Sequence, residues 1–320
     1  MHIVCKGAAL HNRHSCTALR APALPPLRST MENNFKISLV IATYNWPEAL
    51  RACVQGCFRQ TDRNVEIIIA DDGSGGPTRA AVEELMRHAP VPLRHVWQPD
   101  EGFRLAMARN RGILAASGDY LVFVDGDCVP QPDFVARHRR LAQRGCMVTG
   151  SRILLDQAFS RRVLDGAVDL HALSLGDKLR YRGQGGINKA APLLFKLPDA
   201  GRRRRFSFRR IKGCNMAFWR QDLERVNGFD ESFKGWGHED ADIVVRLHHA
   251  GVARKDGAYA TEVFHLWHRE AQRDQATSNK QLVLDRLANK TTQAVIGLKQ
   301  HANEPGAAVA ADPVDRRTGV

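Results

Sequence analysis

From residue 37 onward the chain alternates between short apolar runs and segments with helical spacing, and this alternation constrains the fold more than any other feature. Residues 37–42, 65–70, 93–97 and 119–124 are strand-sized apolar runs. Between the first two, Ala49, Leu50, Cys53, Val54, Cys57 and Phe58 recur on one helical face, behind Asn45 as an N-cap candidate and Pro47 in the first turn. Further helices are expected over 78–88 and 103–117. Strands and helices in this order predict an α/β fold, a mostly parallel Rossmann-like sheet flanked by helices, with right-handed crossovers. Such sheets bind ligands at the C-terminal ends of their strands. Thr43-Tyr44-Asn45, Asp71-Asp72 and Asp125-Gly126-Asp127 all fall there.

The rest of the chain is less regular. Residues 211–220 resemble a strand, 221–226 a short helix, 239–249 an amphipathic helix, 258–265 a strand and 281–296 a helix. Residues 1–30 contain four basic residues, no acid and no signal-peptide h-region, and read as a disordered leader or as sequence upstream of a start at Met31. The expected organisation is a first half over 31–150, a basic variable segment over 151–210, a second half over 211–300 and a disordered tail over 301–320. No run approaches the ~18 apolar residues of a membrane span. The seven cysteines form no Cys-x-x-Cys pair, which argues against structural zinc and for free thiols in a reducing, cytoplasmic compartment.

Four constellations carry chemistry. Asp125-Gly126-Asp127 ends a strand with two hard carboxylates, which suit Mg²⁺ or Mn²⁺, or else simply form an acidic turn. Trp236-Gly237-His238-Glu239-Asp240 offers an active-site carboxylate beside an aromatic platform, or else acids that compensate a helix dipole. His265 and His268 are two imidazoles that a strand end could bring to Asp127, or else structural histidines. Arg104 and Arg111 lie two helical turns apart and share a face, while Arg109, next to Asn110, points elsewhere; such arginines are either solvated or paired with carboxylates or phosphates near the sheet edge.

Together, Ile-Ser-Leu-Val-Ile-Ala-Thr-Tyr-Asn, Ile-Ala-Asp-Asp-Gly-Ser, Ala-Arg-Asn-Arg-Gly-Ile and Phe-Val-Asp-Gly-Asp resemble glycosyltransferase family 2, the inverting enzymes of the GT-A fold. Lys212-Gly-Cys-Asn-Met-Ala-Phe-Trp, Gly228-Phe-Asp-Glu and Gly235-Trp-Gly-His-Glu-Asp resemble the acceptor half of galactosyltransferases and chondroitin-polymerase-type enzymes. The resemblance spans about 37–270 and implies a C-terminal acceptor-binding subdomain. It implies that Thr43, Tyr44, Asn45, Asp71, Asp72, Arg109, Asn110, Asp125 and Gly126 bind the nucleotide-sugar. Asp127, Asp125 and His265 (alternatively His268) would hold Mn²⁺ or Mg²⁺, Trp236, Gly237 and Glu239 would meet the acceptor, and Asp240, with Glu239 beside it, would act as base. The implied substrates are a nucleotide-diphosphate sugar, with UDP the first candidate, and a glycan or lipid-linked glycan acceptor.

The formal net charge of +13 sets up rivals. A nucleic-acid binder would explain Arg202–Arg205 but leaves the ordered carboxylates without a role. A nucleotidyltransferase would carry a Gly-rich phosphate loop after the first strand, and Thr43-Tyr44-Asn45-Trp46-Pro47 is not one. A catalytically inactive scaffold of the same fold is opposed by the intact Asp125, Asp127 and Asp240. Residues 1–30 supply +4 of the charge and 151–212 supply +10, leaving the rest near neutral. The basicity is thus local, and the expected partner for it is an anionic membrane at which a lipid-linked acceptor sits, not nucleic acid.

Overall fold

A computed structural model describes residues 34–199, 202–203, 205–209, 211–269 and 273–301. The expected leader (1–30) and almost all of the expected tail (301–320) lie outside the described residues, as do Arg204, Cys5 and Cys16. The first half runs β1 (Ile37–Thr43), α1 (Pro47–Phe58), β2 (Val65–Asp71), α2 (Gly76–Arg87), β3 (Leu93–Trp97), α3 (Leu105–Ala115) and β4 (Tyr120–Asp125). It continues through β5 (Cys128–Pro130), α4 (Phe134–Leu141) and β6 (Cys146–Thr149). The basic segment contributes β7 (Arg152–Leu154), α5 (Gln157–Leu164), α6 (Leu175–Gly183) and α7 (Ala191–Leu194). Then come β8 (Asn215–Trp219), α8 (Arg220–Arg225), α9 (Glu239–His249), β9 (Ala253–Asp256), β10 (Val263–His265), α10 (Ala276–Ala288) and α11 (Leu298–His301).

Seven strands form one sheet in the order β3-β2-β1-β4-β8-β6-β9. The pairs β3/β2, β2/β1, β1/β4 and β6/β9 are parallel, and only the two pairs that β8 makes are antiparallel. All seven residues of β1 and of β2 are buried, as strands covered on both faces must be. Ile37, Leu39 and Ile41 face Leu50, Cys53, Val54 and Cys57 of α1. Val40 lies on the other face, in the cluster that includes Ala108 and Ile113 of α3 and Ile243 and Leu247 of α9. Because β8 inserts between β4 and β6, the two expected halves share one sheet.

Several sequence-based expectations are corrected. Asn45 is not the N-cap of α1; that position is Trp46, and Asn45, at φ 44°, instead accepts at Oδ1 from the Gly75 amide. Arg104 precedes α3, so it does not share a helical face with Arg111. The strand over 258–265 shrinks to β10, the helix over 281–296 becomes α10, and residues 211–214 are not strand. β5, β6, β7 and β9 are additional. The basic segment is also more regular than its composition suggests. Asp156 caps α5 by accepting from the Phe159 amide, and Ser174 with Asp177 forms a capping box on α6. Its apolar residues Phe159, Leu170, Tyr181, Ile187 and Leu193 pack with Ile153 and Phe264 around a second sheet, β5-β10-β7.

Candidate active site

The parallel registers place the ends of three strands side by side, with Thr43 beside Asp71 and Ala42 beside Asp125. Beyond the ladder, the Gly126 amide donates to Ala42 O (2.7 Å) and the Asp72 amide to Thr43 O (3.0 Å), which holds the loops at the sheet edge. Thr43 is buried there, while Tyr44 is 52% exposed and donates its hydroxyl to Asp100 Oδ2 (2.9 Å). That bond, more than burial, raises the phenol above its ordinary value.

The two adjacent aspartates are committed to this architecture. Asp71 Oδ1 accepts from the Ser74 amide (2.7 Å), and Oδ2 lies 3.0 Å from His95 Nε2. Asp72 Oδ2 accepts from the Arg104 amide (2.8 Å) and Oδ1 from Gln98 Nε2 (2.5 Å). Burial pushes the Asp72 carboxyl up to about 6, against the pull of those two bonds. Asn110 is fully buried and its amide is used on Phe229 and Glu231, so it props the 228–231 turn and does not line the crevice.

β10 brings the imidazoles to the carboxylates. His265 stands opposite Cys128 in the antiparallel register, and the Leu266 amide donates to Asp127 O (2.9 Å). Asp127 Oδ2 lies 3.1 Å from His268 Nε2 and 3.7 Å from His265 Nε2. Burial raises the Asp127 carboxyl, but the His268 hydrogen bond and the two imidazoles outweigh it and hold Asp127 below the usual range. The same bond lifts His268 to about 9, whereas burial lowers the more enclosed His265 and favours its neutral, ligand-competent form. Ligand atoms of Asp127, Cys128 and His265 all lie within 4.8 Å of one another. A carboxylate and an imidazole at this spacing suit Mn²⁺ or Mg²⁺; Asp125, paired with Arg109, is not in this group. Cys128, which sequence reasoning passed over, adds a thiol directly after the Asp-Gly-Asp motif.

The C-terminal motif meets the same point from the other side. Gly235 (φ 70°), Gly237 (φ 107°) and His238 (φ 73°) wind a left-handed turn into α9. Asn279 of α10 donates to Gly237 O (3.0 Å) and anchors this turn. Trp236 is 38% exposed, with the Arg273 guanidinium 4.8 Å over its ring. Asp242 plays no part in the crevice; it is fully buried and paired with Arg246 (2.7 Å) and Arg286 (2.6 Å).

Arg109 joins the two motifs. Its side chain is buried, with Nη2 at 3.1 Å from Asp125 Oδ1 and Nη1 at 3.1 Å from Glu239 Oε1. Burial drives Glu239 up to about 7, the Asp240 charge adds to this, and Arg109 offsets only part of it. Burial likewise raises Asp240, against Arg109 and the backbone amides of Ala241 and Gly213. Gly213 is the other residue the sequence reading missed as a site member. A Cβ there would stand 3.0 Å from Arg109 Nη2 and 3.4 Å from Asp240 Oδ2. The Lys-Gly-Cys-Asn stretch was the signal.

The parallel-sheet edge thus carries the Asp125-Gly126-Asp127 motif and is closed by the buried Glu239–Asp240 pair. Residues 38–194 match the model of glycosyl transferase family 2, and residues 200–269 match that of the N-terminal domain of galactosyltransferase. The chain belongs to glycosyltransferase family 2, a family of transferases. It is 29% identical to a chondroitin synthase of Escherichia coli over 67% of this chain and 32% of the relative. It is 30% identical to a validoxylamine A glucosyltransferase of Streptomyces hygroscopicus over 68% of this chain and 52% of the relative. The chain thus spans from about a third to about half the length of these curated relatives. S. aureus TarS shares the fold at TM-score 0.52 and 12% identity, covering 83% of this chain and 41% of that one. The mannosyltransferase PcManGT of Pyrobaculum calidifontis, solved with GDP-Man and Mn²⁺, does so at TM-score 0.50 and 17% identity, covering 85% and 76%.

Proposed function

We propose that this chain transfers a sugar from a nucleotide-diphosphate sugar, UDP being the first candidate, to a hydroxyl of a glycan or lipid-linked glycan in polysaccharide or cell-envelope assembly. One observation carries the reading: Arg109 holds the Asp125-Gly126-Asp127 motif and the Glu239-Asp240 pair against one crevice. Thr43 and Tyr44 line the nucleoside side, and Asp71 and Asp72 keep that loop in shape. Asp127, Asp125 and His265 would hold Mn²⁺ or Mg²⁺, which when bound neutralises charge on the departing diphosphate. His268, ion-paired to Asp127, is the second imidazole within reach.

Asp240 removes the proton of the acceptor hydroxyl as that oxygen attacks the anomeric carbon from the face opposite the leaving group. A single displacement inverts the configuration and needs no enzyme nucleophile. Glu239 fixes the acceptor and, through Arg109, shares its charge with Asp125. Trp236 offers a partly exposed ring to a sugar face, and Gly237 leaves room beside it.

The reading extends to a cytoplasmic enzyme in peripheral contact with an anionic membrane. No described helix is long and apolar enough to cross one. α6 exposes Leu175 (62%) and Leu179 (53%), one turn apart on a single face, with Lys178 and Arg182 beside them. Arg202 does not serve that contact: it is buried and donates to the carbonyls of Leu197, Pro198, Asp256 and Ala258.

The decisive experiment is a panel of nucleotide-sugars with Mn²⁺, following nucleoside diphosphate release and its acceleration by glycan acceptors. Release from one donor, faster with an acceptor, is expected. Binding without turnover of any donor would favour an inactive scaffold.

A further inference from the structure

The basic segment 151–212, with 15 basic residues against 5 acidic ones, has no role in the carboxylate chemistry above. The structure nevertheless groups three cations from it around the 212–214 stretch. Arg152 opens β7 and points Nη1 at Cys214 Sγ (4.0 Å). It lies close enough to Asp125, His265 and His268 to act on the charge of each. Lys189 donates to Ser151 Oγ, the residue before Arg152, and its ammonium is repelled by that of Lys212. Lys212 in turn precedes Gly213, whose amide donates to Asp240.

All three side chains belong to partly buried residues, and among the described residues none has a carboxylate within ion-pair distance. Glu262 acts on Lys189 from further away and only partly offsets burial. Partly buried cations repel one another and lose hydration, and Asp125 and Glu262 act on Arg152 and Lys189 only from beyond ion-pair distance, so an anion between the cations would stabilise the arrangement. The diphosphate of a nucleotide-sugar carries two negative charges, and guanidinium and ammonium groups are suited partners for its oxygens.

We propose that Arg152, Lys189 and Lys212 form a cationic clamp for the donor's diphosphate, supplied by the basic segment and independent of the metal. This rests on the glycosyltransferase reading for the identity of the donor. The anion chemistry is shared by a sugar carboxylate, so the test separates the two sources. Calorimetry in EDTA would compare uridine, UDP, inorganic pyrophosphate and glucuronate, on the full chain and on Arg152→Met, Lys212→Met and Arg152→Lys variants with unchanged thermal melts.

Each methionine variant should weaken UDP and pyrophosphate by about tenfold or more, the scale of a charge-assisted hydrogen bond to phosphate. Uridine should be unaffected, and Arg152→Lys should keep most of the affinity. A UDP-to-uridine affinity ratio equal to that of the unaltered chain overturns the clamp. So does a loss confined to glucuronate, which would give the cations to a sugar carboxylate. Failure of the unaltered chain to bind any nucleoside diphosphate when Mn²⁺ replaces EDTA would count against the glycosyltransferase reading instead. Pyrophosphate bound by the chain and lost in the variants would still support the clamp.

Discussion

Arg109 on α3 and Glu239 on α9 lie 130 positions apart and meet in a buried ion pair of 3.1 Å. The second terminal nitrogen of the same guanidinium holds Asp125, so one cation spans the donor and acceptor motifs. Arg109→Met would leave two carboxylates beside an apolar stub. Removing one partner of a buried pair costs about 3–5 kcal/mol, and urea unfolding should show a loss of that size together with loss of turnover. Arg109→Lys should not restore activity, because a single ammonium lacks the planar fork that reaches both carboxylates. A methionine variant within 1 kcal/mol of the unaltered chain, on the scale of an exposed pair, would remove the strut from the account.

Asp240→Asn tests the base. Transfer should fall by about 10²–10⁴, the usual worth of general base catalysis, while nucleotide affinity stays near its original value. A folded variant that no longer binds nucleotide would contradict the role. Asp127→Ala should do the reverse and abolish the Mn²⁺-dependent part of nucleotide binding. Unchanged affinity in the presence of Mn²⁺ would refute the ligand assignment.

The acidic pair sets a pH profile. Glu239 sits at about 7 and Asp240 is raised, so at low pH the pair carries a proton that Asp240 must lose before it can act. Activity should therefore rise with pH and level off above about 7. Glu239→Gln removes a neighbouring negative charge, which should move the rising limb to lower pH. A limb that moves upward, or not at all, would show that another group controls the profile.

Glu66 governs acid stability far from the crevice. Burial pushes its carboxyl up, but bonds from Ser38, Lys36 and Ser117 outweigh this and hold it at about 2, against 4.5 ordinarily. A depressed folded-state value contributes stability present above about pH 4.5 and lost as pH falls toward 2. The shift corresponds to about 3 kcal/mol at most. Urea midpoints between pH 6 and pH 3 should decline more steeply for the unaltered chain than for Glu66→Gln; parallel declines would assign acid sensitivity elsewhere.

Leu175→Ser combined with Leu179→Ser should weaken sedimentation with phosphatidylserine vesicles by at least tenfold, since burying one leucine contributes about 1.5–3 kcal/mol. Arg202→Ala should instead lower the melting temperature, because it leaves carbonyls of Leu197, Pro198, Asp256 and Ala258 without their donor. Full vesicle binding by the double serine variant would argue against α6 as the contact.

Legibility in the sequence followed the range of the forces involved. The apolar runs that became β1, β2, β3 and β4 and the helical face of α1 are local patterns, and strand ends must carry whatever follows them. Thr43, Asp71 and Asp125 could therefore be placed at one sheet edge from spacing alone. The capped helices α5 and α6 span only eight and nine residues in a basic segment, too short for periodicity to stand out. Asn45 looked like a cap because Asx residues favour both caps and left-handed turns, and only its Gly75 contact separates the two.

What the sequence by itself determined was the parallel α/β scaffold, the family and the candidate acids. Tertiary structure alone decided which of those acids share a charge and which are consumed by the fold. The pairing of His265 with Cys128, the bridge from Arg109 to Glu239 and the spending of Asp242 on Arg246 and Arg286 depend on strand register and helix docking. Those are set by burying many apolar side chains at once, so no single stretch of residues encodes them.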